Sequence, residues 1–238
     1  MPRFFVYNGD MILLNLGLLM SDPLEFLKML ACIVPIMLIS LTLHEWGHAF
    51  AAHKNGDDTA MMLGRMTLNP LAHIDPVGLI MILLVGFGWA KPVPVNPRNY
   101  RNYRKGEAIV SLAGVTMNLL LAILFSILYI VFFQLAIKHP QKWLESEYLW
   151  TIVEYGISLN IALFLFNLIP LYPLDGYHIF ELLFAKHLPF RAFLFLRRYG
   201  QFILIGLLLL SRLLDFYPVS IVTGWVFDLI YRIALALL

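Results

Sequence analysis

Residues 27–52 read LKMLACIVPIMLISLTLHEWGHAFAA. The stretch meets the ~20 mostly apolar residues that a helix needs to cross ~30 Å of hydrocarbon. Asp22 and Pro23 ahead of it supply a cap residue and a first-turn proline. The rest of the chain has the same character. Of its 238 residues 61% are hydrophobic and 13% charged, against ~45–50% and ~25% in soluble globular proteins. A domain of this size keeps too much surface exposed to absorb that apolar load in a core. Residues 109–137, 149–171, 202–216 with flanking residues, and 219–238 qualify as further spans. Residues 74–90 are shorter and interrupted by Pro76, Gly78, Gly86 and Gly88, which fits a short span or a re-entrant segment. Residues 11–20 are too short to cross, and no signal-cleavage pattern follows them. The expected fold is an all-α membrane protein. It is a bundle of about five transmembrane helices plus a re-entrant, partly extended segment at about residues 65–105.

Other classes are excluded on the same grounds. The net charge is only +2, so no basic field covers the chain and no nucleic-acid partner is expected. Cys32 is the single cysteine and cannot form an internal disulfide. The run Arg98, Arg101, Arg104 and Lys105, interleaved with Tyr100 and Tyr103, lies beside a span. There it suits lipid headgroups and the setting of orientation.

Within the first span, His44-Glu45-Trp46-Gly47-His48 places two imidazoles one helical turn apart on one face. Zinc accepts neutral imidazole nitrogen, and an intervening Glu can activate a water on the ion. Two His and a Glu in hydrocarbon are costly unless they work, so the cluster reads as a metal site. A catalytic zinc takes three protein ligands and keeps one open position. Glu107, Glu154, Asp175, His178, Glu181, Asp215 and Asp228 lie in or beside spans as candidates for the third. Asp175 stands out because Pro170 and Pro173 end regular helix ahead of it and Gly176 permits a turn.

Three ordered motifs then resemble the site-2 proteases, the intramembrane zinc metalloprotease family. They are His44-Glu45-x-x-His48, Ser111-Leu112-Ala113-Gly114-Val115-Thr116-Met117-Asn118, and Asn167-x-x-Pro170 followed by Leu174-Asp175-Gly176. They cover roughly residues 27–180. Val115 and Tyr172 stand where the family often has proline. The run from Gly86 to Pro97 resembles compact members without an added regulatory domain. The resemblance implies one zinc ion bound by His44, His48 and Asp175, with Glu45 as general base. It implies that Asn167 and Asn118 line the site. Residues 89–97, with Trp89, Pro92, Val93 and Pro94, are expected to be extended and to touch substrate, since Pro92, Pro94 and Pro97 forbid helix and favour a strand edge.

The expected organisation is an interfacial segment over 1–22, a catalytic membrane core over 23–180, and C-terminal transmembrane helices over 181–238. The expected activity is hydrolysis of a membrane-embedded peptide or protein substrate within the lipid bilayer. Alternatives are a prenyl-protein-type endopeptidase, or a non-catalytic substrate- or metal-binding protein. His48 and Asp175 can share an ion only if residues 74–90 make no crossing, because otherwise three crossings would put them on opposite faces. The positive-inside rule then sets the metal end at the cytoplasmic face of the cell membrane.

Overall fold

The computed structural model describes residues 16–78 and 90–238. A short helix α1 (Leu16–Ser21) leads into α2 (Pro23–Lys54), whose first turn is capped by the Asp22 carboxylate accepting from the Glu25 N–H. After the single turn α3 (Thr59–Met62) and an irregular connection comes α4 (Tyr103–Lys138), capped by Asn102. Then follow α5 (Glu147–Asn167), α6 (Asp175–Phe184), α7 (Phe190–Leu213) and α8 (Pro218–Ala236). Five of these, α2, α4, α5, α7 and α8, are long and apolar enough to cross a membrane. No strand occurs among the described residues, so the all-α membrane class holds.

In lipid the hydrophobic effect does not drive helices together, so close approach at small residues and polar contacts must do so. Both are present between α2 and α4. A Cβ on Gly47 would press on the Ala113 carbonyl, and Asn118 reaches Ser40. Ser40 thus faces Asn118, Gly47 faces Ala113, and His48 faces Val110. Numbers rise on one helix as they fall on the other, so the pair is antiparallel. Gly156 of α5 packs against the Phe125 ring in the same way. Around these approaches Ile36, Phe125, Tyr129, Val153, Ile157, Ile161 and Ile230 form the apolar core. Helix α8 runs beside α4 in the same direction, with Phe227 against Tyr129, Tyr231 against Phe133, and the Ala234 carbonyl accepting from the Gln134 amide.

The connection from α2 to α4 returns to the end from which it left. Ile74 and Ala90 form an isolated antiparallel bridge, and the Lys91 N–H donates to the His73 carbonyl at 2.9 Å. With α2 and α4 antiparallel, the chain makes no net crossing between them. Residues 79–89, Trp89 among them, and residues 1–15 lie outside the described part.

Beyond the bridge, residues 91–96 form an irregular strip held at both ends. At one end the Arg65 guanidinium donates to the carbonyls of Lys91 (2.9 Å) and Pro92 (3.2 Å). At the other the buried Asp57 carboxylate accepts from the Asn96 N–H (2.6 Å), the Asn99 amide (2.8 Å) and the Thr59 hydroxyl (2.5 Å). Burial pushes the Asp57 carboxyl up, but these donors outweigh it and hold the group below its ordinary value. It therefore remains an ionised acceptor at neutral pH.

The paired ends of this connection are open to a direct check. In a Cys32→Ser background, single cysteines replacing the exposed Lys54 and Arg98 should label with a membrane-impermeant thiol reagent from the same side. Labelling from opposite sides would require a crossing between them.

Candidate metal centre

His44 and His48 project from the same face of α2 onto α4, where Gly114 makes room for them. A Cβ there would overlap His48 Nε2 and His44 Cε1. Each ring is oriented by its outer nitrogen. His48 Nδ1 lies 2.8 Å from the Val110 carbonyl, which can only accept, so Nδ1 carries a proton and, in the neutral ring, Nε2 keeps its lone pair. His44 Nδ1 lies 2.7 Å from Asn118 Oδ1. The orientation of that amide is settled by a chain of partners. The Gly156 carbonyl accepts from Asn160 Nδ2 (2.8 Å), which turns Asn160 Oδ1 toward Asn118 Nδ2 (3.1 Å). Asn118 Oδ1 therefore faces His44 as an acceptor, and in the neutral ring His44 Nε2 also keeps its lone pair. Ser40 Oγ completes the network by accepting from Asn160 Nδ2 at 2.9 Å.

Asp175 arrives from a different part of the chain. After α5 ends, Pro170 and Pro173 interrupt helix, the Tyr172–Pro173 bond is cis, and Leu174 anchors the turn in the interior. A Cβ on Gly176 would overlap the Leu168 carbonyl, so only glycine lets the new helix start this close to the old one. Asp175 is the first residue of α6, where the positive end of the helix dipole favours a carboxylate. Its helix is braced on one side by Glu107, whose carboxylate lies 2.9 Å from His178 Nδ1. On the other side the Tyr177 hydroxyl accepts from Arg197 Nε at 2.9 Å, and Arg197 also pairs with Glu181.

Three acceptor atoms meet as a result. His44 Nε2 and His48 Nε2 are 3.1 Å apart, and Asp175 Oδ2 is 3.5 and 3.4 Å from them. Atoms bonded to zinc at ~2.0–2.1 Å in tetrahedral array stand about 3.3 Å from one another. Asp175 Oδ2 is buried and makes no hydrogen bond. Two lone pairs and an orphaned carboxylate oxygen repel one another unless a cation joins them. The residues present therefore fit a zinc ion. Among the described residues this is the one group of three or more His, Cys, Asp and Glu side chains close enough to hold a metal.

Glu45 is not one of the three. Its Oε2 accepts from the Val93 N–H at 2.7 Å, with both residues buried. Of the other residues expected at the site, Asn118 joins it through His44, while the Asn167 amide turns back to the Leu163 carbonyl of its own helix at 3.0 Å. Pro92 and Pro94 flank Val93 in the strip. Sequence reasoning does not single out Asn160, which bonds Asn118 and the Gly156 carbonyl. A buried amide on a span could be read only as a helix-packing group, and its place behind Asn118 emerges from the packing.

Two comparisons bear on what this geometry belongs to. The family model described as Peptidase family M50 matches residues 134–208, which include the Asn167-to-Gly176 turn. YwhC of Bacillus subtilis is 46% identical over 159 residues, covering 65% of this chain and 70% of YwhC. The chain belongs to peptidase family M50. Rip2 of Mycolicibacterium smegmatis is 30% identical over 217 residues, and Rip2 of Mycobacterium tuberculosis 30% over 214. Each of these alignments covers 88% of this chain and 75% of the relative. All three relatives carry zinc metalloprotease names given provisionally. No solved structure gives a significant match. The resemblance to site-2 proteases read from the three motifs thus stands at family level, and this M50 chain is a multi-pass membrane protein.

The fit of the rings against α4 has a measurable consequence. Gly114→Ala should push both imidazoles off their positions and bring bound zinc in the purified protein well below one per chain, with helix content by circular dichroism unchanged. Full zinc loading in that variant would show that the rings do not need the gap.

Proposed function

We propose that this chain is a zinc-dependent endopeptidase that cuts membrane-embedded peptide or protein substrates within the bilayer. The observation that carries the reading is the triangle of His44 Nε2, His48 Nε2 and Asp175 Oδ2, built between helices long enough to span a membrane. These three residues hold a single ion. When bound there, zinc polarises the scissile carbonyl and lowers the pKa of a water in its open position to ~7. His44 and His48 keep their Nε2 lone pairs directed inward because Asn118 and Val110 hold the Nδ1 protons. Asp175 supplies the negative charge, presented from the start of α6.

Glu45 lies next in sequence to a ligand but about 100° round the helix from His44. It can lie beside the reacting water without being a third ligand. Its carboxylate takes up the proton of the attacking water and delivers it to the departing amine. The strip 91–96, with Val93 turned toward Glu45, is where an extended substrate would lie along the protein. The unit that does this work is residues 23–180, and residues 181–238 add the last helices. Lys54, Arg65, Arg98, Arg101 and Lys105 crowd the end of the bundle near the metal ligands, which supports a cytoplasmic location for that end in the cell membrane.

Metal content and turnover measured on the same purified variants test these roles. Glu45→Gln keeps the shape and can still hydrogen-bond the water but cannot take its proton. It should retain near-stoichiometric zinc and lose at least ~10²-fold in cleavage of a membrane substrate. Asp175→Asn should instead release zinc, because a neutral amide is a poorer ligand than a carboxylate. Loss of zinc from Glu45→Gln, or efficient cleavage by it, would overturn the assignment.

A further inference from the structure

The backbone of residues 92–94 contains one amide proton. Pro92 and Pro94 have none, and the N–H of Val93 between them is directed at Glu45 Oε2, 2.7 Å away. Val93 is 8% exposed and Glu45 9%, so this contact is shielded from water. A glutamate has three side-chain torsions to order, and a buried carboxylate without donors is costly. One fixed donor answers both needs and leaves Oε1 as the second oxygen.

The strip that carries this donor is not built to move. Arg65 holds the carbonyls of Lys91 and Pro92, His73 accepts from the Lys91 N–H, and Asp57 holds the amides of Asn96 and Asn99. The prolines restrict φ on either side of Val93. A lid poised to leave Glu45 would be tethered at one end, whereas this strip is fastened at both.

We propose that the Val93 amide is a positioning group for the reaction: by engaging Glu45 Oε2 it limits rotation of the carboxylate and leaves Oε1 to take the proton of the attacking water, with Asp57 and Arg65 holding the amide in place. This rests on the reading of Glu45 as the proton acceptor. Val93 acts through Glu45 by its backbone N–H, while its side chain packs with Ala49 and Ala60.

The test is a single-atom change. Incorporating α-hydroxyvaline at position 93 replaces the amide N–H by an ester oxygen and keeps the side chain, and Val93→Pro deletes the same donor by ordinary mutagenesis. Turnover of a membrane-protein substrate in detergent, its KM and the zinc content of each protein are measured against the unmodified chain. The ester protein should lose at least about tenfold in kcat, the scale expected for a misplaced catalytic group, while KM and zinc per chain stay the same. Unchanged kcat, faster turnover, a rise in KM in place of the fall in kcat, or loss of zinc would each overturn the proposal. Should Val93→Pro not fold, the ester protein alone decides. The two levels separate through Glu45→Gln. If that variant keeps zinc and stops cutting while the ester protein cuts normally, the positioning role fails alone. If Glu45→Gln itself cuts normally, the reading of Glu45 fails with it.

Discussion

Two imidazole lone pairs and a carboxylate oxygen lie within 3.5 Å of one another in the interior of a membrane protein. Left to themselves these groups would separate or gain a proton. Keeping them together without a proton between them is the constraint behind most of the local architecture. The Val110 carbonyl and the Asn118 amide hold the Nδ1 protons so that both Nε2 atoms stay bare. The absence of a side chain at Gly114 lets the rings lie against α4. The interrupted backbone between α5 and α6 brings Asp175 in at a helix start, which a continuous span could not do.

The tautomer of His44 depends on groups from three helices. Gly156 on α5 orients Asn160, Asn160 orients Asn118 on α4, and Asn118 orients His44 on α2. Each of these amides also satisfies its own buried polar atoms, so none is a polar intrusion needing separate explanation. Interhelical hydrogen bonds in membranes average only ~0.6 kcal/mol, reaching up to ~2. Their importance here is directional: they decide which nitrogen of His44 offers its lone pair.

Much of this was legible in the amino-acid sequence. The helix class followed from the apolar runs, and the pairing of His44 with His48 from their spacing; Asp175 stood among seven candidates, favoured by its proline-broken turn and by the resemblance to site-2 proteases, and the structure brings the three together. The need for residues 74–90 to return followed from requiring His48 and Asp175 to meet, and the Ile74–Ala90 bridge agrees with it. Other parts were hidden for identifiable reasons. Asn167 sits in a motif and Asn160 does not, yet the structure has Asn160 behind Asn118 and Asn167 bonded within its own helix. A motif records residue types in order but not which of two amides seven residues apart faces a neighbouring helix. The Val93 N–H was invisible because a backbone donor has no side-chain signature. Glu107 and His178 each resembled a spare ligand, and their pairing becomes apparent only when α4 and α6 are placed side by side.

The prolines of the strip also bear on the protein's own survival. An endopeptidase of the kind proposed holds its own backbone beside the carboxylate that promotes hydrolysis. The bonds ahead of Pro92, Pro94 and Pro97 are tertiary amides, with no N–H for a neighbouring strand to engage. The bond between Pro92 and Val93 has its N–H already engaged by Glu45. Pairing of the strip as a substrate strand is thereby disfavoured at the three Xaa–Pro bonds and at the Pro92–Val93 bond. The same composition that keeps the strip extended makes it a poor substrate.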